Sequence, residues 1–148
     1  CELTETERDK EIPLPLRERL HSGSLLAGLV LTHCSTGFPH PLGYPLTERF
    51  GIPHGKACAA FLPDLAIRGK QVSPERGQVL FALLGCTPED FVLHTAVMAE
   101  LPEITITDEL IADCAARWED CKNFRNSPGG FTREEALALF CSRFGNGR

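Results

Sequence analysis

The sequence lacks the patterns that mark several common classes of protein. It contains no C-x-x-C pair and no G-x-G-x-x-G turn, so it signals neither a thiolate metal site nor dinucleotide binding. Its longest apolar run, residues 25–31, is far shorter than the ~20 residues that a membrane span needs. A net charge of -5, from 15 basic and 20 acidic side chains, provides no broad basic surface for phosphates. These absences argue against a membrane protein and against a nucleic-acid-binding protein.

Repeats, low-complexity tracts and long linkers are also missing, and 148 residues is the usual size of one domain. Hydrophobic residues make up 43% and charged residues 24%, which is typical of a folded globular chain. No stretch alternates apolar and polar residues over a useful length, and residues 104–107 are too few to found a sheet. The sequence therefore predicts a single compact, all-α, multi-helix domain over residues 1–148.

The first predicted helix covers residues 17–34. Its apolar positions recur at three- and four-residue steps, and Gly23, Ala27 and Gly28 would let another helix approach closely. We expect this helix to be buried on most sides, at the centre of the domain.

Proline, glycine and capping residues mark the remaining predicted helices. Pro41 favours a helix that runs to about Phe50, and another begins near His54 and continues through Leu62. The others are expected to start at Ser73 or Pro74, Thr87, Thr107 and Thr132, and to end near Leu84, Glu100, Cys121 and Phe144. Asp90 and Glu135 follow their threonines by three residues, which is the spacing of a capping box.

The seven cysteines are an odd number and suggest no disulfide framework. Four of them have apolar neighbours and are predicted to be buried, reduced thiols, which favours a cytoplasmic location: Cys34, Cys58, Cys114 and Cys141. The chain opens at Cys1 with an acidic stretch and without an initiator methionine. We interpret this opening as a cut end.

Two of the five histidines occupy settings that packing does not explain. His40 and His54 each lie beside proline at a predicted helix start, and they can converge if the short helix between them folds back. Neutral imidazole is a common ligand of divalent metals. The pair is therefore our candidate metal site.

The segment around this pair, residues 37–57, resembles the signature of the iron-containing alcohol dehydrogenase family, in which H-x-x-x-H is followed by P-H-G. His40 and the His54 of Pro53-His54-Gly55 match the family's metal ligands in type and spacing. Leu62-Pro63 also matches, and residues 123–128 resemble the family's Asn-Pro turn before its last helix. The resemblance implies the helical C-terminal domain of these enzymes, a fold similar to that of dehydroquinate synthase.

The resemblance also implies an activity for the intact protein. That protein would transfer hydride between NAD or NADP and an alcohol or aldehyde substrate, with iron as the expected metal and zinc as an acceptable one. The family's remaining ligands, an Asp and a His four residues apart, and its N-terminal nucleotide-binding domain would fall before residue 1. We therefore expect the 148 residues alone to bind metal weakly and to show no turnover. The sequence does not decide whether the protein forms a homo-oligomer.

Tyr44 is the main departure from the family pattern. It stands where the family usually has a middle histidine, which is often assigned a role in proton transfer. A phenol can donate a hydrogen bond or relay a proton but is a poorer base than imidazole at neutral pH. Tyr44 is predicted either to shape the pocket or to relay a proton.

Other assignments remain open from the residues alone. Asp90 and His94 have D-x-x-x-H spacing, but we interpret Asp90 as part of a helix start and His94 as a surface position. His21 and His33 are given structural roles. The alternatives to a dehydrogenase fragment are a metal-free helical interaction domain, in which His40 and His54 cap helices, and a small metallohydrolase. The metallohydrolase would need a third ligand and a general base, for which Asp90 and His94 are the candidates.

Overall fold

The computed structural model describes residues 11–145, and over this range the chain is all α-helical, as the sequence predicts. Within it there are nine helices and no strand, and residues 104–107 are irregular. In chain order the helices are α1 Leu14–Cys34, α2 Pro39–Phe50, α3 His54–Ala59, α4 Leu62–Val72, α5 Pro74–Leu84, α6 Pro88–Ala99, α7 Asp108–Arg117, α8 Lys122–Arg125 and α9 Arg133–Phe144.

The core lies where the α2–α3 pair meets the C-terminal helices. Helix α2 packs on α3, α3 packs on α4 and α6, and α7 packs on α9. Aromatic rings join these parts, with Phe61 and Trp118 placed 6.3 Å and 5.6 Å from the ring centre of Phe140. Burial of each such side chain contributes about 1.5–3 kcal/mol. The largest fully buried side chains are Phe38, Leu42, Pro45, Leu46, Phe61, Cys114 and Phe140.

Helix ends follow the predicted capping residues closely. Thr87 and Thr132 form complete capping boxes with Asp90 and Glu135, and the Thr107 hydroxyl accepts from the N–H of Leu110. Glycine in the left-handed conformation ends two helices, at Gly51 with φ 66° and at Gly85 with φ 64°. These predictions are confirmed. They could be made from sequence because a cap acts within one helical turn of its own position.

Two predicted helices are shorter than expected. The helix from His54 ends at Ala59, and a separate helix begins at Leu62, since Pro63 has no N–H with which to continue the first one. The helix from Thr107 ends at Arg117 and not near Cys121. Trp118 leaves the helical conformation there and packs its ring on Phe124 and Phe140.

The first helix forms as predicted, but the prediction that it is buried at the centre of the domain is wrong. Helix α1 is present, but none of its residues is buried, and Leu25 and Leu26 are each 62% exposed. Its Gly23 and Gly28 have open space where a Cβ would stand, so no other helix approaches them within residues 11–145. Periodicity identifies the apolar face of a helix but does not supply the element that covers it.

The prediction of buried cysteines is confirmed at only one of its four positions. Cys114 is buried, Cys58 and Cys141 are partly buried, and Cys34 is exposed because it ends the exposed helix α1. All six cysteines among the described residues are free thiols, while Cys1 and most of the acidic opening lie outside that range.

No single helix within residues 11–145 has both the length and the apolar composition to cross a membrane. Only α5 and α6 meet those criteria together, as a pair bent by 59°.

Candidate metal centre

The chain reversal between α2 and α3 brings the two predicted histidines together. His40 lies in the first turn of α2 and His54 is the first residue of α3. Gly51 reverses the chain between them, and the backbone N–H of Ile52 bonds back to the carbonyl of Leu46. The two imidazole rings stand nearly perpendicular, with centroids 5.0 Å apart.

A third donor, which the sequence reasoning assigned only to packing, joins the pair. Cys58 follows His54 by one helical turn, so its side chain lies on the same face of α3. Its Sγ is 3.5 Å from Nε2 of His54 and 3.9 Å from Nδ1 of His40. One ligand-type atom from each residue lies within 4.8 Å of the others, and no other His, Cys, Asp or Glu among the described residues joins such a group. The available sequence signal was the spacing His54-x-x-x-Cys58.

Gly43 is what lets the two helices come so close. A Cβ built at Gly43 would lie 3.1 Å from the Cys58 sulfur and 3.2 Å from the Cys58 backbone nitrogen. Helix α3 therefore rests directly on the backbone of α2 at this point. This close approach brings Cys58 of α3 within 3.9 Å of His40, which lies in the first turn of α2.

Partial burial changes the acid–base behaviour of the cluster. Desolvation, and secondarily repulsion from His54, lowers the pKa of His40 below its ordinary value of 6.5. Its neutral form, the one that can bind a metal, is therefore favoured at neutral pH. Burial raises the pKa of the Cys58 thiol to about 11, so the sulfur carries its proton unless a cation displaces it.

Tyr44 lies at the rim of the cluster. Its ring stacks on that of His54, with centroids 5.2 Å apart and planes 14° from parallel, and meets His40 edge-on at 6.2 Å. The side chain is 43% exposed. Tyr44 therefore limits the orientation of the His54 ring and leaves its own phenol accessible; its role in proton transfer stays a prediction.

The other candidates from the sequence lie apart from this cluster. The Asp90 carboxylate accepts bonds from the backbone N–H and hydroxyl of Thr87, which confirms its place in a helix cap. His94 is partly buried, not a plain surface position, and its Nδ1 has no hydrogen-bond partner among the described residues. His21 and His33 are exposed on α1, and Nδ1 of His33 lies 2.9 Å from the Leu29 carbonyl oxygen.

Helix α8 and the turn after it hold the segment that leads into the site. The amides of Asn123 and Asn126 donate to the backbone oxygen of Thr36, and Asn126 donates also to that of Cys34. The hydroxyl of Ser127 accepts from the backbone N–H of Phe38, 2.9 Å away. These contacts join the turn at residues 123–128 to the segment that leads into α2 and His40.

Fold and site together define a helical domain with two histidines and a cysteine gathered at one helix–helix contact. The sequence matches the Fe-containing alcohol dehydrogenase family, C-terminal part, over residues 4–144. The chain belongs to this family, and the resemblance drawn from residues 37–57 is confirmed.

Individual relatives agree with the family assignment. A 1,3-propanediol dehydrogenase of Klebsiella pneumoniae is 32% identical over 72 residues, which cover 49% of this chain and 19% of that protein. A second 1,3-propanediol dehydrogenase, from Citrobacter freundii, is 33% identical over 63 residues, or 43% of this chain and 16% of that protein.

Solved structures show the same fold. An iron-containing alcohol dehydrogenase from Thermotoga maritima superposes with a TM-score of 0.72 at 27% identity, covering 89% of this chain and 36% of that one. A second iron-containing alcohol dehydrogenase gives the same TM-score and identity, with 90% and 36% covered. The chain thus spans about a third of these structures and less than a fifth of the two curated relatives.

Proposed function

We propose that this chain is the metal-binding part of an NAD(P)-dependent alcohol dehydrogenase or aldehyde reductase. The observation that carries the proposal is the convergence of His40 and His54, 5.0 Å apart between ring centres, in a domain of the Fe-containing alcohol dehydrogenase family. The substrate class is a small alcohol or aldehyde, as the names of the relatives suggest.

The donor set fits a divalent first-row cation. Two imidazoles are borderline ligands that iron and zinc both accept, and the lowered pKa of His40 favours the neutral form they require. His40 and His54 would hold the cation, with iron as the family expectation and zinc as the alternative. When bound, such a cation supplies Lewis acidity toward the oxygen of the substrate.

The residues of the chain have separate tasks in this scheme. His40 and His54 are presented from helix starts, so their backbones are rigid and their rings need little reorganisation. Tyr44 stacks on His54, which restricts rotation of that ring. Because the Tyr44 phenol is also exposed, we propose that it donates a hydrogen bond to a substrate beside the histidines.

The rest of the machinery is proposed to come from residues outside this chain. Hydride transfer needs a nicotinamide site, and neither the sequence nor the described residues contain a Gly-rich dinucleotide turn. The family's further Asp and His ligands are also absent. We therefore propose that the 148 residues bind metal without catalysing alcohol oxidation by NAD or NADP.

Zinc titration by calorimetry tests the proposal. The unmodified chain is expected to bind one equivalent of Zn²⁺, and His40→Ala and His54→Ala are each expected to weaken binding at least tenfold. His33→Ala is the matched control, since His33 is exposed on α1 and outside the cluster. Equal binding by His54→Ala and the unmodified chain would overturn the proposal and favour the metal-free interaction domain.

A further inference from the structure

The sulfur of Cys58 lies where a third metal ligand would stand. Its polar neighbours, as the structure places them, are the imidazole nitrogens of His40 and His54. Helix α3 fixes this arrangement, because His54 and Cys58 are one turn apart and face the same side.

The spacing agrees with tetrahedral coordination. Metal–nitrogen bonds of about 2.0–2.1 Å and metal–sulfur bonds of about 2.3 Å, at tetrahedral angles, put nitrogen and sulfur about 3.6 Å apart. In the structure the separation is 3.5 Å from Sγ to Nε2 of His54 and 3.9 Å to Nδ1 of His40. The His54 separation therefore matches the ideal value, and the His40 separation exceeds it by about 0.3 Å.

The backbone of α2 also restricts where the sulfur can go. Gly43 presents no side chain, and the site of its absent Cβ is 3.1 Å from the sulfur. The thiol is thus confined between the α2 backbone and the two imidazoles. A side chain held in this way loses little conformational freedom when it binds a cation.

We propose that Cys58 is a third protein ligand, so that this chain supplies a His₂Cys donor set. The inference rests on the proposed function, since it requires a cation at His40 and His54. On ligation the S–H bond breaks, the proton passes to solvent and a sulfur–metal bond forms, with no change in oxidation state. The remaining coordination positions stay open for donors from outside this chain and for the substrate oxygen.

A thiolate ligand changes which cations the site prefers. Sulfur favours Zn²⁺ and Co²⁺ strongly over Mg²⁺ and Mn²⁺, whereas a histidine pair alone discriminates less. It also raises the expected affinity of the chain above that of two imidazoles. Cys58 therefore acts as a specificity determinant for the metal.

Cobalt absorption spectroscopy on the 148-residue chain tests the proposal directly. Co²⁺ bound to the unmodified chain is expected to show thiolate-to-cobalt charge transfer in the near ultraviolet and intense tetrahedral bands in the visible. Cys58→Ala is expected to lose the charge-transfer band and at least tenfold in Co²⁺ affinity. Cys141→Ala is the matched control, because Cys141 is also a partly buried free thiol but lies outside the cluster.

X-ray absorption of the zinc-loaded, unmodified chain provides a readout that depends on no variant. One sulfur neighbour at about 2.3 Å supports the inference, and a shell of nitrogen and oxygen only overturns it. If His54→Ala abolishes binding while Cys58→Ala alters neither spectrum nor affinity, the inference fails and the proposed function stands. If the unmodified chain binds neither Co²⁺ nor Zn²⁺, both fail.

Discussion

The hydroxyl of Ser127 accepts a 2.9 Å hydrogen bond from the backbone N–H of Phe38, 89 residues earlier in the chain. The same hydroxyl donates to the carbonyl of Asn123 at 2.8 Å. Phe38 is almost completely buried and stands immediately before α2, two residues from His40. A loop near the C-terminal end of the chain thereby fixes the entry to the helix that presents a candidate ligand.

Ser127→Ala is expected to lower the free energy of unfolding by about 1–3 kcal/mol, because it leaves the buried N–H of Phe38 without a partner. Urea denaturation followed by circular dichroism measures the change. Ser142→Ala is the control, since the exposed Ser142 hydroxyl donates to the carbonyl of Leu139, three residues earlier in the same helix. A loss at Ser127 no larger than the loss at Ser142 would contradict this role.

Gly43→Ala is expected to lower the free energy of unfolding by about 0–2 kcal/mol, because crowding against the sulfur and backbone of Cys58 costs about 1–3 kcal/mol and the helix propensity of alanine offsets up to ~1 kcal/mol. It is also expected to weaken Zn²⁺ binding, since the donors come from both α2 and α3. Unfolding in urea and zinc titration measure the two effects.

Gly28→Ala provides the control for this substitution. Gly28 lies inside α1 with open space around its Cβ position, so alanine is expected to be neutral or to stabilise by up to ~1 kcal/mol. Zinc binding should not change. Unaltered zinc affinity in Gly43→Ala would show that the close approach of α2 and α3 does not set the donor spacing.

Thr132→Ala is expected to destabilise the domain by about 1 kcal/mol through loss of its capping box with Glu135. Helix α9 depends on this start to place Phe140 in the core. Thermal or urea unfolding measures the effect. Thr105→Ala, at an exposed irregular position, should stay within about 0.5 kcal/mol of the unmodified chain; similar losses at both sites would count against the cap.

Asp64 is expected to make stability fall as the pH rises. Burial raises its pKa above the ordinary 3.8 and outweighs the nearby Arg143 guanidinium, 2.9 Å away. A carboxyl group with a higher pKa in the folded state binds its proton more tightly there. The stabilisation that Asp64 contributes is therefore fully present below its pKa in the unfolded state, and it is lost as the pH rises through its pKa in the folded state.

Urea midpoints of the unmodified chain and of Asp64→Asn between about pH 3 and pH 6 test this sign. The urea midpoint of Asp64→Asn should rise relative to that of the unmodified chain as the pH rises. Asp90→Asn should give the opposite trend, because hydrogen bonds from Thr87 lower the pKa of Asp90, so its stabilisation is fully present above the unfolded pKa and is lost as the pH falls through the folded pKa. Parallel trends in the two variants would refute the assignment.

The sequence by itself determined where most helices begin and end and which two histidines to select. Thr87, Thr132 and Gly85 act on backbone groups within one turn, so their effects can be read without knowing the fold. The run of residues 37–57 around His40 and His54 was likewise sufficient to identify the family, which the match over residues 4–144 confirms.

Only the tertiary structure decided what surrounds these elements. The apolar face of α1 is exposed because burial depends on a neighbour, and no sequence period supplies one. Cys58 joined the histidines for the same kind of reason: the contact at Gly43 sets its distance to His40, a residue on another helix. Local chemistry is encoded within a turn, whereas convergence of donors requires two helices to pack.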